Sequence, residues 1–223
     1  MKKTILIALT LLLGAGLQAQ RLSNEERRAR NVDNQFGYVV QTNGDRIEGN
    51  ITIHFFDVDG MDGIVNMDLR TVVRVSYTSV DSRGRERVRS NSFRPRNVKF
   101  FALVDENGVE TRYEPVRMNV MGNLMSSTAV DVGGRNPFFK KVVHSNGDYV
   151  AYFDPSSESE STNLSVAKRG ERANLFAEIL RNGRTTRSVV GDCSALLEML
   201  ERGEIPNTIE GVKTFIDLLV ACR

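Results

Sequence analysis

Three groups of residues in this chain could do chemistry. In D-V-D-G-M-D-G, residues 57–63, Asp57, Asp59 and Asp62 stand among glycines. Hard cations gather several oxygen ligands from flexible loops, so the chemistry to weigh there is calcium binding. Against the twelve-residue EF-hand loop, Asp57, Asp59 and Asp68 fall at positions one, three and twelve. Met61 then occupies position five, where an acid or amide belongs, and Asp62 occupies position six, where glycine belongs. A solvated Asp/Gly turn is the preferred reading, with calcium as the alternative. No other cofactor is implied.

The second group is S-R-G-R-E-R-V-R-S-N-S-F-R-P-R, residues 82–96, with six arginines against one glutamate. The stretch reads as the turn and second strand of a hairpin. Alternation puts Arg85, Arg87 and Arg89 on one face of that strand, with Arg83 in the turn. Arg83, Arg85, Arg87 and Arg89 are therefore the candidate binding residues. A face of this kind would meet an anionic glycan, lipopolysaccharide phosphates or an acidic envelope protein. Nucleic acid would want aromatics interleaved with further basic segments, and only Tyr77 and Phe93 stand near. The bland reading, a solvated hairpin whose arginines discourage edge-to-edge pairing, is preferred to a specific anion site.

The third group is Cys193 and Cys222 with two histidines, His54 and His144. A thiolate nucleophile at Cys193 would need a nearby histidine base, and both histidines lie far upstream in a strand-rich region. No G-x-S-x-G or H-E-x-x-H pattern occurs. The expectation is a chain without catalytic residues.

The start of the chain bears on the compartment. Lys2 and Lys3, an apolar run from Ile5 to Leu13, and G-A-G-L-Q-A-Q form the three parts of a secretory leader cleaved near Ala19. The apolar run is too short to span a bilayer, and no later run reaches that length. A periplasmic or secreted mature chain follows. Without Lys2 and Lys3, the 30 basic residues come into balance with the 28 acidic ones. A neutral chain has no overall field to collect polyanions, so anion binding must rest on a local patch. Two cysteines in an oxidising compartment are read first as a disulfide.

The elements that must position these residues fall into blocks. Residues 20–35 form a polar arm or short surface helix. From Phe36 to Asp154 the apolar residues alternate, as in R-I-E-G-N-I-T-I-H-F, where Ile47, Ile51, Ile53 and Phe55 share a face. Asn43-Gly44, Asn107-Gly108 and Asn146-Gly147 punctuate this region, and Asn-Gly favours type I′ hairpins. Further strands are expected at I-V-N-M, T-V-V-R-V-S-Y-T and R-V-R-S. Residues 155–163 form an acidic, serine-rich linker. Residues 164–223 are mostly helical: after a short strand at L-S-V-A-K, helical spacing gives one helix at Leu175–Leu180, a second capped by Asp192, and a third capped by Thr208. The cysteines lie on the apolar faces of the last two helices, where a disulfide would staple them. The fold class is α+β: mainly an antiparallel β-meander, as a curled sheet or open barrel, followed by a small disulfide-stapled helical part.

Several segments carry a likeness. G-Y-V-V-Q-T-N-G-D-R-I-E-G-N-I, R-P-R-N-V-K-F-F, F-F-K-K-V-V-H-S-N-G-D-Y-V-A-Y-F and G-D-C-S-A-L-L-E-M-L resemble the strands and the cysteine-bearing helix of uncharacterised secreted and envelope proteins of Bacteroidota. Ser194 stands where that group usually has proline. The resemblance implies a Gram-negative envelope or secreted location and a β-rich body with a disulfide-linked helical tail. It transfers no catalytic residues. The expected function is a non-catalytic extracytoplasmic binding module. An enzyme with a scattered site and a structural subunit of an envelope assembly are the alternatives.

Overall fold

The structure, a computed structural model, describes residues 22–55, 72–119, 137–157 and 163–222. The leader expected at 1–19, the Asp57, Asp59 and Asp62 group, and the strand expected at I-V-N-M lie outside the described residues. Of the 155–163 linker, residues 155–157 and 163 lie within them.

Among the described residues, alternating apolar residues build ten strands in one antiparallel sheet. They are β1 (Val32–Gln41), β2 (Arg46–Ile53), β3 (Val73–Val80), β4 (Glu86–Phe93), β5 (Val98–Val104), β6 (Glu110–Val116), β7 (Phe138–Asn146), β8 (Tyr149–Phe153), β9 (Leu164–Lys168) and β10 (Asn174–Leu175). The order is β10-β9-β8-β7-β6-β5-β1-β2-β3-β4. Two meanders, β1–β4 and β5–β10, are thus joined side by side through β1 and β5. A 3-10 turn at Pro95–Asn97 carries the chain from the outer edge at β4 back to β5. The sheet is open.

The hairpins lie where the turn residues place them, by a different geometry. A type I′ turn needs positive φ at both central residues. Gly44, Gly84 and Gly108 have φ of 95°, 77° and 78°, and the residue before each is not left-handed. Each glycine N–H instead bonds back three residues, to Gln41, Asp81 and Asp105 respectively. This is a type I turn closed by a left-handed glycine, the three-residue hairpin loop. Asp81 and Asp105 support theirs in the same way. Asp105 Oδ1 accepts from the N–H groups of Asn107 and Val109, and Asp81 Oδ1 from those of Arg83 and Arg85. In the third Asn-Gly pair, Asn146 opposes Tyr149, leaving a two-residue turn with positive φ only at its first central residue, Gly147.

One face of the sheet holds the main core. Val39, Ile51, Val73, Val75, Phe101 and Phe139 are fully buried. The Phe101 ring stacks on Tyr113 with centroids 4.6 Å apart and meets Phe139 edge-on at 5.1 Å. Burial pushes the Tyr113 hydroxyl up to about 12. Farther along, the same face receives the C-terminal helices around Phe176, Ile179, Leu196, Phe215, Ile216 and Leu219. The opposite face carries a smaller cluster of Val116, Val150, Tyr152, Ala167 and Ala173. A parallel bridge pairs Met118 with Ala173, so the tail of β6 meets the segment that leads into β10. The pairings from β6 to β10 thereby return on themselves around this small cluster.

The polar arm divides in two. Ser23 and Glu26 form a reciprocal capping box that starts α1 (Asn24–Arg30), while Val32 to Gln35 already belong to β1. Arg30 donates to the Ser157 carbonyl at 2.7 Å and lies over the Phe153 ring, tying α1 to the chain after β8.

Four helices follow β10: α2 (Phe176–Arg181), α3 (Gly183–Val190), α4 (Ser194–Glu201) and α5 (Ile209–Ala221). The stop expected at Asn182-Gly183 is a corner, because the Asn182 side chain accepts from Arg184 N and caps α3. Nothing in G-R-T-T-R-S-V-V has apolar helical spacing, yet Thr185 and Thr186 are buried. The Thr186 hydroxyl satisfies itself on the Asn182 carbonyl at 2.9 Å, which lets a polar side chain face the core. The N-cap of α4 is Cys193 rather than Asp192, with no side-chain cap bond. Thr208 caps α5 as the sequence indicates, accepting from Gly211 N at 3.1 Å.

Cys193 and Cys222 are joined in a disulfide that ties the start of α4 to the end of α5, with Cα atoms 5.8 Å apart. Closing a loop of 29 residues is worth ~3–4 kcal/mol on the chain-entropy account. The Cys193→Ala/Cys222→Ala protein should therefore lose ~3 kcal/mol in urea denaturation. Thiol titration of the oxidised protein should find no free cysteine, and two free thiols there would contradict the staple.

Candidate anion-binding site

The arginine hairpin is the first place to look. Tyr77 opposes Arg89 and Ser79 opposes Arg87, so Arg87 and Arg89 share the face that carries Val73, Val75 and Phe93 nearer the core. The hairpin runs on past that core, and the Val80 and Val88 side chains on its other face are 65% and 79% exposed. Arg85 lies just before β4, with its Nη2 3.0 Å from Asp81 Oδ2, and Arg87 Nε stands 3.5 Å from the same oxygen. The Arg85 backbone N–H, helped by the Arg83 N–H and the Arg85 guanidinium, holds the Asp81 carboxyl below its usual range. Two of the four arginines are thus drawn onto the carboxylate that shapes the turn. Arg83 sits in that turn, and Arg89 is in no ion pair among the described residues.

Both histidines have acidic partners. His54 Nε2 meets Asp33 Oδ1 at the exposed β1–β2 edge. His144 Nε2 and Asn146 Nδ2 both reach Asp217 Oδ1 at 2.8 Å, pinning α5 to β7. The His144 bond, then the Asn146 bond, hold Asp217 below the usual carboxylate range. These are ties between elements.

Cations on the face of the small cluster are committed too. The Arg46 guanidinium lies 3.6 Å from the Tyr38 ring centroid and Arg112 lies 3.7 Å from that of Phe100. Arg46 pairs with Glu48 and Arg112 with Glu114, each at 2.8 Å. Glu114 also accepts the Tyr152 hydroxyl at 2.9 Å. Burial, with the Glu114 charge beside it, pushes the Tyr152 hydroxyl up, so it remains a donor at neutral pH.

Uncommitted cations gather elsewhere. A cleft of ≈910 Å³ opens where the tail of β6, the β9–β10 loop and the 3-10 turn meet. Its charged lining residues are Arg96, Glu114, Arg117, Lys168, Glu171 and Arg172. Glu114 is satisfied by Arg112 and Tyr152. Arg96, Arg117, Lys168 and Arg172 form no ion pair among the described residues. A concave site whose lining sets these four cations against Glu171 and an internally neutralised Glu114 carries a net positive charge and attracts anions.

No known relative explains it. No protein-family model matches the chain, and no curated protein or solved structure matches it. The reading therefore rests on the cleft itself.

Sequence reasoning did not single out this site. Arg117 and Arg172 lie far apart along the chain, and only the bridge between Met118 and Ala173 brings their neighbours together. Arg96 was visible at the end of the arginine stretch, and K-R-G-E-R at 168–172 reads as a charged turn. The available signal was a pair of charged turns flanking strands. Nothing in their spacing says that they meet.

Proposed function

We propose that this chain is a non-catalytic binding module of the bacterial envelope that acts outside the cytoplasm and recognises an anionic glycan through the cleft. The observation that carries the reading is the set of four cations around one concavity, unpaired among the described residues, against Glu171 and a Glu114 that already has its partners. The leader-like N-terminus, the Cys193–Cys222 disulfide and the likeness to secreted Bacteroidota proteins support the location. Among the described residues no helix is long and apolar enough to cross a membrane.

The glycan, as a polar and hydroxyl-rich ligand, suits a cleft lined mainly by polar surface. The test is retention of the mature, oxidised protein on immobilised acidic polysaccharide, followed as salt is raised. Neutralising Arg96, Arg117, Lys168 and Arg172 together should abolish retention, while neutralising Arg83, Arg85, Arg87 and Arg89 should leave most of it. The reverse pattern would move the site to the hairpin. Equal retention of both variants would remove the cleft from consideration.

A further inference from the structure

We infer that Arg117 and Arg172 together grip a phosphoryl group carried on a saccharide. This rests on the anionic-glycan reading above and narrows it to one chemical group and one pair of residues.

The argument begins with the backbone. Ala173 N donates to Arg117 O and Asn119 N donates to Ala173 O, both at 2.8 Å, which sets Met118 and Ala173 side by side in parallel register. Their side chains point the same way, into the small cluster with Val116 and Tyr152. Successive side chains on extended backbone alternate, so Arg117 and Arg172 emerge together on the opposite side, as do Asn119 and Asn174. The second pair verifies the register, because Asn119 Nδ2 donates to Asn174 Oδ1 at 3.0 Å. The two arginines therefore stand on neighbouring chains, ~4.8 Å apart at the backbone. Both are exposed, and among the described residues neither has an acidic partner.

Two guanidinium forks at that spacing suit a group with three acceptor oxygens and a charge near −2 better than a carboxylate, which one fork already fills. The neighbouring amides fit the rest of the ligand. Among the described residues Asn174 Nδ2 keeps both donors and Asn119 Oδ1 remains open to accept, the mixed capacity that sugar hydroxyls need.

The lining contains no histidine. Its other titratable groups are the carboxyls of Glu114 and Glu171, the Lys168 ammonium, and the hydroxyls of Tyr149 and Tyr152. None has its ordinary value near pH 6, whereas the second ionisation of a phosphate monoester lies at about 6. Affinity for a sugar phosphate should therefore rise as pH is taken from 5 to 7. Affinity for a sugar carboxylate should stay level over that range.

Calorimetric or NMR titration of the oxidised mature protein with glucose 1-phosphate, glucuronate and glucose tests this. Vesicles of phosphatidylcholine with and without lipid A are titrated in parallel. The expected result is saturable binding of glucose 1-phosphate that strengthens between pH 5 and 7. It should weaken about tenfold in Arg117→Ala and in Arg172→Ala, the loss of one charge-assisted contact each. Both side chains are exposed, and an unchanged unfolding midpoint will show that the variants fold. Binding confined to lipid A vesicles and lost in both variants supports the inference with a lipid headgroup as the source. Binding of glucose 1-phosphate supports it with the soluble sugar phosphate sufficient. Equal binding of glucuronate with no rise towards pH 7 overturns the phosphoryl assignment and leaves the anionic-glycan reading standing. Phosphate binding that survives both variants but fails in Arg96→Ala/Lys168→Ala overturns the arginine pair. No binding of any anion overturns both readings.

Discussion

Replacing Lys140 by methionine should destabilise the protein by ~2–4 kcal/mol, more than any surface change is expected to. Lys140 lies in β7 with its side chain 3% exposed, and its Nζ is 2.6 Å from Asp154 Oδ2. The other carboxylate oxygen accepts from Ser156 N at 2.9 Å and Ser156 Oγ at 2.6 Å. Removing one partner of a buried ion pair leaves the other charge uncompensated, at ~3–5 kcal/mol. The lower range is expected here because Asp154 is 19% exposed and can recover some hydration. Exchanging both partners should be far milder. Lys140→Met/Asp154→Asn keeps the Ser156 bonds and removes both charges, so it should regain most of the loss. Urea midpoints at unchanged m-value measure both. A single variant that loses under 1 kcal/mol, or a double variant no better than the single, would refute this account.

Acid should erase part of that difference. Burial pushes the Asp154 carboxyl up, but the Lys140 charge and the bonds from Lys140 and Ser156 outweigh it and hold the group below its ordinary 3.8. A depressed carboxyl contributes stability that is present above its unfolded value and lost as pH falls through its folded value. The native protein should therefore lose this contribution only below about pH 4. In Lys140→Met the opposing charge is gone and only the Ser156 bonds still counter burial, so Asp154 takes up its proton at higher pH. The gap between the two proteins should narrow as pH falls from 5 to 3.

The legible part of this molecule is the part governed by periodicity. Ile47, Ile51, Ile53 and Phe55 announce a strand because period two puts them on one buried face, and Val212, Phe215 and Leu219 announce a helix because a period of about 3.6 does the same. Tight turns were visible as glycine positions, although their type depended on Asp81 and Asp105 bonding back to the chain. Helix α3 was hidden because two of its three buried residues are threonines, of which Thr186 bonds back to the Asn182 carbonyl. The cleft was hidden for another reason. Arg117 and Arg172 are ordinary solvated residues in sequence, and their partnership exists only through a two-residue bridge between distant segments. Arg85 and Arg87 looked free for the opposite reason, since the Asp81 that engages them lies across the turn.

The second large effect should come from a residue with no side chain. Gly37 and Gly49 face each other across β1 and β2, at the middle of both strands. Glycine inside a strand marks a bend or a close backbone approach, and here the approach is measurable. A Cβ on Gly37 would stand 2.1 Å from the Ala102 carbonyl oxygen, and one on Gly49 2.3 Å from that of Ser76. These obstacles are backbone atoms of the flanking strands β5 and β3, so they cannot swing aside as a side chain would. The paired glycines let β1 and β2 bend between their neighbours, and thereby join the two meanders into one curled sheet. Gly37→Ala should cost more than ~3 kcal/mol, in the range reserved for severe overpacking, and Gly49→Ala a similar amount. Gly44 provides the control, since it has open space around its Cβ position and only its φ of 95° to object. Gly44→Ala should cost ~1–2 kcal/mol, the price of a left-handed non-glycine residue. Thermal and urea unfolding of the three variants will rank them. If Gly37→Ala is as mild as Gly44→Ala, the strands have room to separate and the bend does not depend on the glycine pair.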